Sequence, residues 1–556
     1  MDFLQIALVL ILALIIAIPM GKYIALSFSL EETKLDRVFG QVEKIIYKLS
    51  GINPINMNWK QYAKALLISN LVMFAICYLI VRLQGFLPFN PNNIGAMEEL
   101  LSFNTVASFL TNTNLQHYSG ETGLSYFSQM TVITYLMMTT PATGLAFCMA
   151  FIRGVTGQMS LGNFYVDLVR SLTRILIPAS LVVGLLLVGQ GVPQTLDGTV
   201  TATTLEGEEQ QIARGPVASL ESIKHLGTNG GGFFGVNAAH PFENPTPFSN
   251  ILHILSMLFI PTSIVFAFAY IAKKRKLGWI LTGTMGVIFL ALLTTIYVNE
   301  SNGNPALSEI GLTQEEGSME GKEVRFGIAQ SALFTTVTTA ATTGSVNNMH
   351  DTLTPLGGFV PLVLMMFNNI FGGEGVGFVN IIMYAILAVF IAGLMVGRTP
   401  EFLGRKIEAK EMKLIAITIL IHPLIILVPS AIALATEMGS SAISNPGFHG
   451  ISQVVYEFTS SAANNGSGFE GLGDNTPFWN IATGLVMLFG RYFSMIALLA
   501  VAASLIVKKP VPETIGTIKT DNSTFLVFLV ATVIIVGALT FFPVLALGPI
   551  AEALTL

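Results

Sequence analysis

Long apolar runs and polar connections alternate along the whole chain. The apolar runs lie near residues 3–21, 63–83, 127–152, 171–190, 250–271, 279–297, 356–397, 414–435, 479–507 and 524–546. A helix needs about 20 such residues to cross a bilayer core about 30 Å thick. The pattern therefore predicts an all-α polytopic membrane protein with about ten transmembrane helices. The run at 356–397 is too long for one simple span. Asn368-Asn369-Ile370-Phe371-Gly372-Gly373-Glu374-Gly375-Val376-Gly377 interrupts it. Four glycines and a carboxylate cannot form a stable lipid-facing helix, so this stretch is expected to be a buried loop.

Ten spans put alternate connections on opposite sides, and the basic residues test the assignment. The connections after the first, third, fifth, seventh and ninth spans hold 22 of the 28 Lys and Arg residues, Lys273-Lys274-Arg275-Lys276 among them. The opposite connections keep only Arg82, Arg214, Lys224, Lys322 and Arg325. The positive-inside rule then predicts that both termini are extracytoplasmic. Asp2 precedes the first run, and Lys22, Lys34 and Arg37 follow it. That order reads as an uncleaved first helix.

The outward connections share one grammar. A short, moderately apolar stretch of about three helical turns leads into a tract rich in Thr, Asn and Gly. The tracts are Thr111-Asn112-Thr113-Asn114-Leu115-Gln116, Thr228-Asn229-Gly230-Gly231-Gly232-Phe233-Phe234, Thr342-Thr343-Gly344-Ser345-Val346-Asn347 and Asn464-Asn465-Gly466-Ser467-Gly468-Phe469. They recur once per pair of spans, which predicts four pseudo-fourfold helix–pore loop–helix repeats. Non-helical backbone survives at membrane depth only where it is buried in protein, lines water or binds a solute. Four loops about one axis present a ring of carbonyls that can replace the water shell of a cation. Glycine keeps side chains out of such a pore. Each preceding helix aims its negative C-terminal end at the centre. No tract contains Asp or Glu, which argues against a divalent ion and for a weakly hydrated monovalent one.

Composition agrees with the class. Charged residues make up 11 % of the chain and hydrophobic ones 52 %, too little charge to cover a soluble surface of this size. The net charge of −5 comes with no basic stripe of the kind that binds nucleic acid. Cys77 and Cys148 both sit in apolar runs and read as packing residues. His117, His225, His350 and His449 lie near the loops without metal-ligand spacing, so interfacial hydrogen bonds are expected of them and no transition metal. The segments 191–215 and 299–325 read as solvated loops. Neither a Gly-x-x-x-x-Gly-Lys-Ser/Thr loop nor a phosphorylation motif is present; Asp351-Thr-Leu-Thr is not one, and no organic cofactor is expected.

The tracts, together with several other motifs, resemble a known family over essentially the full length. These motifs are Val346-Asn347-Asn348-Met349-His350-Asp351 followed by Pro355-Leu-Gly-Gly, His240-Pro-Phe-Glu-Asn-Pro-Thr, Ala392-Gly-Leu-Met-Val-Gly-Arg-Thr-Pro400, Pro477-Phe-Trp-Asn and Ala546-Leu-Gly-Pro-Ile-Ala-Glu. The family is that of KdpA, the potassium-binding component of the bacterial Kdp potassium-transporting ATPase, in the superfamily of K+ transporters.

The resemblance implies a non-catalytic subunit of an ATP-driven pump in the bacterial inner (plasma) membrane. It would bind extracellular K+ in a selectivity filter and pass it through an intramembrane pathway to a P-type ATPase catalytic subunit (KdpB). An accessory subunit (KdpC) and a small single-helix subunit (KdpF) are the other implied partners. The implied filter positions are Asn112, Thr113, Asn114, Gln116, Thr228, Asn229, Gly230, Thr343, Gly344, Ser345, Asn464, Asn465 and Gly466. Two positions depart from the pattern: Thr343 stands where a small or thiol residue is expected, and Ala463-Asn464-Asn465 replaces three asparagines.

A gate is implied at Gly372, Gly373, Glu374 and Gly375, with a simple kink as the alternative. Arg491, deep in a span, would lie beneath the filter and pair with an acid of the broken helix. The resemblance puts that acid where Asn368 or Asn369 stands, with Glu374 as a substitute. The implied organisation is a first helix and cytoplasmic connector in 1–60, then pore repeats in 61–160, 161–276, 277–410 (with the broken helix) and 411–510. The last helix occupies 511–556. A stand-alone K+ channel or cation symporter of the same architecture is the alternative function. A secondary transporter for an organic solute fits less well, because the outward loops recur in parallel rather than as inverted repeats.

Overall fold

The computed structural model describes residues 2–512 and 517–556. Among them, ten helices are long and apolar enough to cross a membrane. They are Phe3–Ser27, Trp59–Phe86, Tyr126–Thr156, Phe164–Gly189, Pro247–Ile271, Arg275–Glu309, Val376–Val396, Ala409–Ala435, Pro477–Ile506 and Ser523–Thr555. Polar caps start several of them. The Asn58, Thr246, Thr476 and Asn522 side chains each accept a backbone N–H from the first helical turn. The N-terminal helix lies along Pro247–Ile271. At Gly21 the backbones nearly touch, since a Cβ there would sit 2.8 Å from the Ser263 carbonyl oxygen.

The long run at 356–397 divides into two helices, Pro355–Phe367 and Val376–Val396. Asn368 ends the first at φ 46° and Gly375 opens the second at φ 81°. Such left-handed backbone is cheap for Gly and tolerated by Asn. The interruption is thus a true break in the helix and not a kink.

Four short helices precede the tracts: Glu99–Leu110, Val217–Lys224, Gly327–Ala340 and Phe448–Ala463. Nearly every residue in them is buried, polar ones included. An element covered on all sides must end in the interior, and these four end at the tracts.

Two sequence expectations need correction. Segment 191–215 is not plain loop, because Val200–Thr203 pairs antiparallel with Glu209–Ile212 in an exposed hairpin. Segment 299–325 is not all solvated either. The Glu300 and Lys322 side chains are fully buried and pair at 2.6 Å. Glu300 also accepts from the Thr354 N–H and hydroxyl at 2.9 and 2.6 Å, which pins the start of the broken helix. Charge read as exposure failed here because the partner that makes burial tolerable lies far along the chain.

On the side rich in basic residues, arginines are locked rather than free. Arg153 grips Asp167 through two bonds of 2.7 and 2.9 Å. Arg174 holds Glu43 at 2.6 and 2.7 Å. Removing one partner of such a buried pair costs about 3–5 kcal/mol.

The C-terminal end of the chain is fastened by His449, which contacts Asp351 at 3.0 Å and Glu552 at 2.9 Å. Burial opposes a charge on this imidazole, but the Asp351 and Glu552 carboxylates outweigh it and lift its pKa to about 9. A raised folded-state value means that the contribution is complete below the unfolded value of about 6.5 and is lost as pH climbs through 9. The thermal midpoint should therefore fall between pH 7 and pH 9.5, and the His449→Gln protein should lose that part of the slope. Equal slopes in a thermal-shift titration would refute the assignment.

Candidate ion-binding ring

The four tracts leave their helices by the same backbone move. Asn112, Thr228, Thr342 and Asn464 take φ of 63°, 46°, 45° and 55°. Each lies within four residues of its helix end and leads into the tract. The next residues are Thr113, Asn229, Thr343 and Asn465, all fully buried. After them come Asn114, Gly230, Gly344 and Gly466.

These segments converge. A Cβ on Gly230 would lie 2.8 Å from the Thr113 carbonyl oxygen and 2.9 Å from that of Asn465. One on Gly344 would overlap the Asn465 carbonyl, and one on Gly466 the Thr113 carbonyl. Gly344 and Gly466 also stand at φ 85° and 109°, where side chains are strained. Glycine is required at both for space and for conformation.

Side chains close the circle from tract to tract. Asn112 donates to the Gly227 and Thr228 carbonyls at 3.1 and 3.0 Å. Gln116 bonds both backbone groups of Gly232. His225 meets the Ser345 hydroxyl at 2.8 Å, and Ser345 donates to Asn237 at 3.0 Å. Asn465 donates to the Thr338 carbonyl at 3.0 Å, and Asn464 to the Thr113 hydroxyl at 2.9 Å. Asn229 is held on Met137 at 3.0 Å. The amides of Asn112, Gln116, Asn229, Asn464 and Asn465 therefore hold the loops in place. Among the described residues, none donates a hydrogen bond to the carbonyls of Thr113, Asn229, Thr343 or Asn465. Four buried acceptors without a protein donor are costly unless a cation or water meets them.

Most of the sequence-predicted residues are thus brought together. Ser345 stands aside and braces the wall. Asn114 points a buried amide with no hydrogen-bond partner. Thr342 and Asn237 were missed. Thr342 opens the third tract but is not among the implied filter positions, and Asn237, which donates to the Gly230 carbonyl at 2.6 Å, lies beyond the tract. A repeat alignment centred on the left-handed cap would have found Thr342.

The interruption of the long run is tied to the inner end of the ring. The Gly372 N–H donates to Ala340 at 2.9 Å. The Gly373 and Glu374 N–H groups donate to the hydroxyls of Thr342 and Thr228 at 2.5 and 3.2 Å. Gly375 presses on Cys148. Arg491 is buried nearby, and the Glu374 backbone and the Arg491 guanidinium both face Gly144. No ion pair joins them among the described residues, and both Glu374 carboxylate oxygens lack a hydrogen bond. Asn369, at one of the positions where an acid was expected, is buried with no side-chain partner. A small cavity of about 50 Å³ lies beneath the ring, lined in part by Asn368, Asn380, His422, Asn464 and Ser494.

The remaining motifs now have structural reasons. Glu243 of the His240–Thr246 stretch pairs with Lys224 at 2.7 Å and accepts the Phe234 N–H at 2.8 Å, behind the second tract. Gly393–Pro400 ends the Val376–Val396 helix, with Gly397 at φ 70° and the Arg398 N–H on the Gly393 carbonyl at 2.8 Å. His350 reaches Tyr456 at 2.8 Å, and Tyr456 reaches Ser467 at 2.8 Å, bracing the fourth tract.

Comparison with known proteins agrees with this picture. The family model described as potassium-transporting ATPase A subunit matches residues 7–554. The potassium-transporting ATPase potassium-binding subunit of Geobacillus kaustophilus is 61 % identical over 556 residues, covering 100 % of this chain and 99 % of that protein. Among solved structures, the potassium transporter TrkH of Vibrio parahaemolyticus superposes with a TM-score of 0.51 at 14 % identity. The match covers 89 % of this chain and 98 % of TrkH, and it speaks to the fold alone.

Proposed function

The chain belongs to the potassium-transporting ATPase A subunit family, and from that we propose that it takes K+ from the extracytoplasmic side on the carbonyls of Thr113, Asn229, Thr343 and Asn465. It is a multi-pass membrane protein and the potassium-binding subunit of an ATP-driven pump, not the catalytic one. The observation that carries the filter reading is the set of four buried carbonyls without protein donors, converging from four tracts tied in a circle. Peptide oxygens at fixed spacing can stand in for the hydration shell of a large monovalent cation.

In this reading the amides of Asn112, Gln116, Asn229, Asn464 and Asn465 set the size of the ring, and Gly230, Gly344 and Gly466 keep it clear. The loop 368–375 blocks the straight route inward, and Arg491 repels a cation that passes the ring. The ion leaves sideways through the cavity beneath, toward a P-type ATPase subunit. The accessory and single-helix subunits would complete the complex in the bacterial inner membrane. The charge asymmetry of the connections supports extracytoplasmic termini, and the recurring caps support a division into pore repeats at 61–160, 161–276, 277–410 and 411–510.

The test is ion competition on the purified complex. Wild type should bind K+ and Rb+ well ahead of Na+. Gly230→Asp, which drives a carboxylate between the Thr113 and Asn465 carbonyls, should abolish that preference. Equal affinity of the wild type for Na+ and K+ would remove the potassium reading.

A further inference from the structure

Outside the ring, the fold assembles a second set of donors. His117 follows the first tract, Glu457 belongs to the fourth tract helix, and Asp474 lies past the fourth tract. The His117 Nε2 is 3.2 Å from a Glu457 oxygen and 3.7 Å from an Asp474 oxygen. The three ligand atoms all lie within 4.8 Å of one another.

The tautomer is set by the far side of the ring. His117 Nδ1 is 2.7 Å from Asn480 Oδ1. That Asn480 atom is the amide oxygen, because the amide nitrogen donates to Asn475 at 3.0 Å. An amide oxygen only accepts, so Nδ1 carries a proton and Nε2 faces two carboxylates, where a metal ion would displace the second proton they favour. A fixed acceptor behind Nδ1–H is how proteins orient a metal-binding imidazole. Metal–ligand bonds of about 2.0–2.1 Å in a tetrahedron put neighbouring donors about 3.3 Å apart, close to the 3.2 and 3.7 Å from the imidazole nitrogen to the two carboxylates.

His117 and Glu457 side chains are 0 % and 1 % exposed, while Asp474 is 25 % exposed. The site is therefore built and still reachable. It opens on a cavity of about 320 Å³ whose floor includes Gly230, Gly344 and Gly466. Glu470, in the same cavity, is committed to the His350 and Asp351 N–H groups.

We propose that His117, Glu457 and Asp474 bind a borderline divalent cation of the zinc class at the mouth of the ring, and that its occupancy opposes K+ entry. One imidazole nitrogen beside two carboxylates favours such an ion over Mg2+ or Ca2+, which prefer oxygen alone. A divalent ion in place of that proton adds positive charge to the vestibule, which would repel a cation approaching the carbonyls. The metal half stands by itself, and the effect on K+ rests on the reading of the ring given above. His117 is 340 residues from Glu457, so no spacing rule applied to the sequence could join it to the two carboxylates. The proposal revises the expectation that only K+ would bind.

The experiment uses the intact ATPase complex with ZnCl2 as probe. Equilibrium dialysis of wild type, His117→Gln and Asp474→Asn counts zinc per complex, and X-ray absorption reports the donors. The wild type should hold one zinc more than either variant, with one nitrogen and two carboxylate oxygens bound. Zinc should raise the K+ concentration for half-maximal ATP turnover at least tenfold in the wild type and not in the variants. Equal zinc content in all three proteins overturns the site. Zinc lost in the variants with no shift in K+ dependence anywhere leaves the site standing and overturns its place on the K+ route.

Discussion

Gly466→Ala is expected to raise the K+ concentration for half-maximal turnover at least a hundredfold, or to abolish uptake. At φ 109° the Gly466 backbone lies where L side chains rarely go, a strain of about 1–3 kcal/mol. The added methyl would also overlap the Thr113 carbonyl oxygen and lie 3.2 Å from the Asn114 carbonyl carbon. The chain must move, and the first group to move is an oxygen proposed to hold the ion. A combined loss of about 3 kcal/mol corresponds to roughly a hundredfold in affinity. Gly468→Ala is the control, because its methyl would meet only Glu457 at 3.4 Å. Rubidium binding and K+-stimulated ATP turnover measure both proteins. Wild-type half-saturation in Gly466→Ala would exclude the ring as the binding site.

Arg491→Gln is expected to separate ATP hydrolysis from net uptake. The guanidinium is buried beside Gly144, on the inner side of the ring, and makes no direct ion pair with Glu374 among the described residues. A unit charge a few ångströms from the ion's route raises its energy by roughly 2–4 kcal/mol at an effective dielectric constant near 20. Its loss should increase inward leak by about 30-fold or more, while the fold survives because no ion pair is broken. Reconstituted complex should show passive K+ flux without ATP, and Arg491→Lys should restore tightness. Unchanged coupling in Arg491→Gln would count against a barrier at this position.

Much of this architecture was readable from the chain, for physical reasons. Lipid demands long apolar helices, so the spans announce themselves by hydropathy. A tract such as Asn464-Asn465-Gly466 stands out because nothing in a lipid-facing helix needs it. What the sequence concealed was direction and partnership. Asn112, Asn464 and Asn465 reach sideways to neighbouring repeats, and their order along the chain does not say so. That choice depends on three-dimensional distance. Glu300 and Lys322 looked solvated because charge usually is. Thr342 was not singled out within its tract because its left-handed turn is a property of the packed backbone, and Thr is not the residue that usually signals one. His117, Glu457 and Asp474 carry no pattern at all until the first and fourth repeats meet.

The hydroxyls of Thr228 and Thr342 belong to the ends of two tract helices, yet they also accept the N–H groups of Glu374 and Gly373. Whatever displaces the interrupting loop must release the floor of the second and third tracts. Thermodynamic linkage then runs both ways: if an open loop loosens the grip on K+ by some factor, a bound K+ holds the loop shut by that same factor. With the proposed filter and gate, occupancy and closure would become one equilibrium, and a partner that pulls on either end would pull on both.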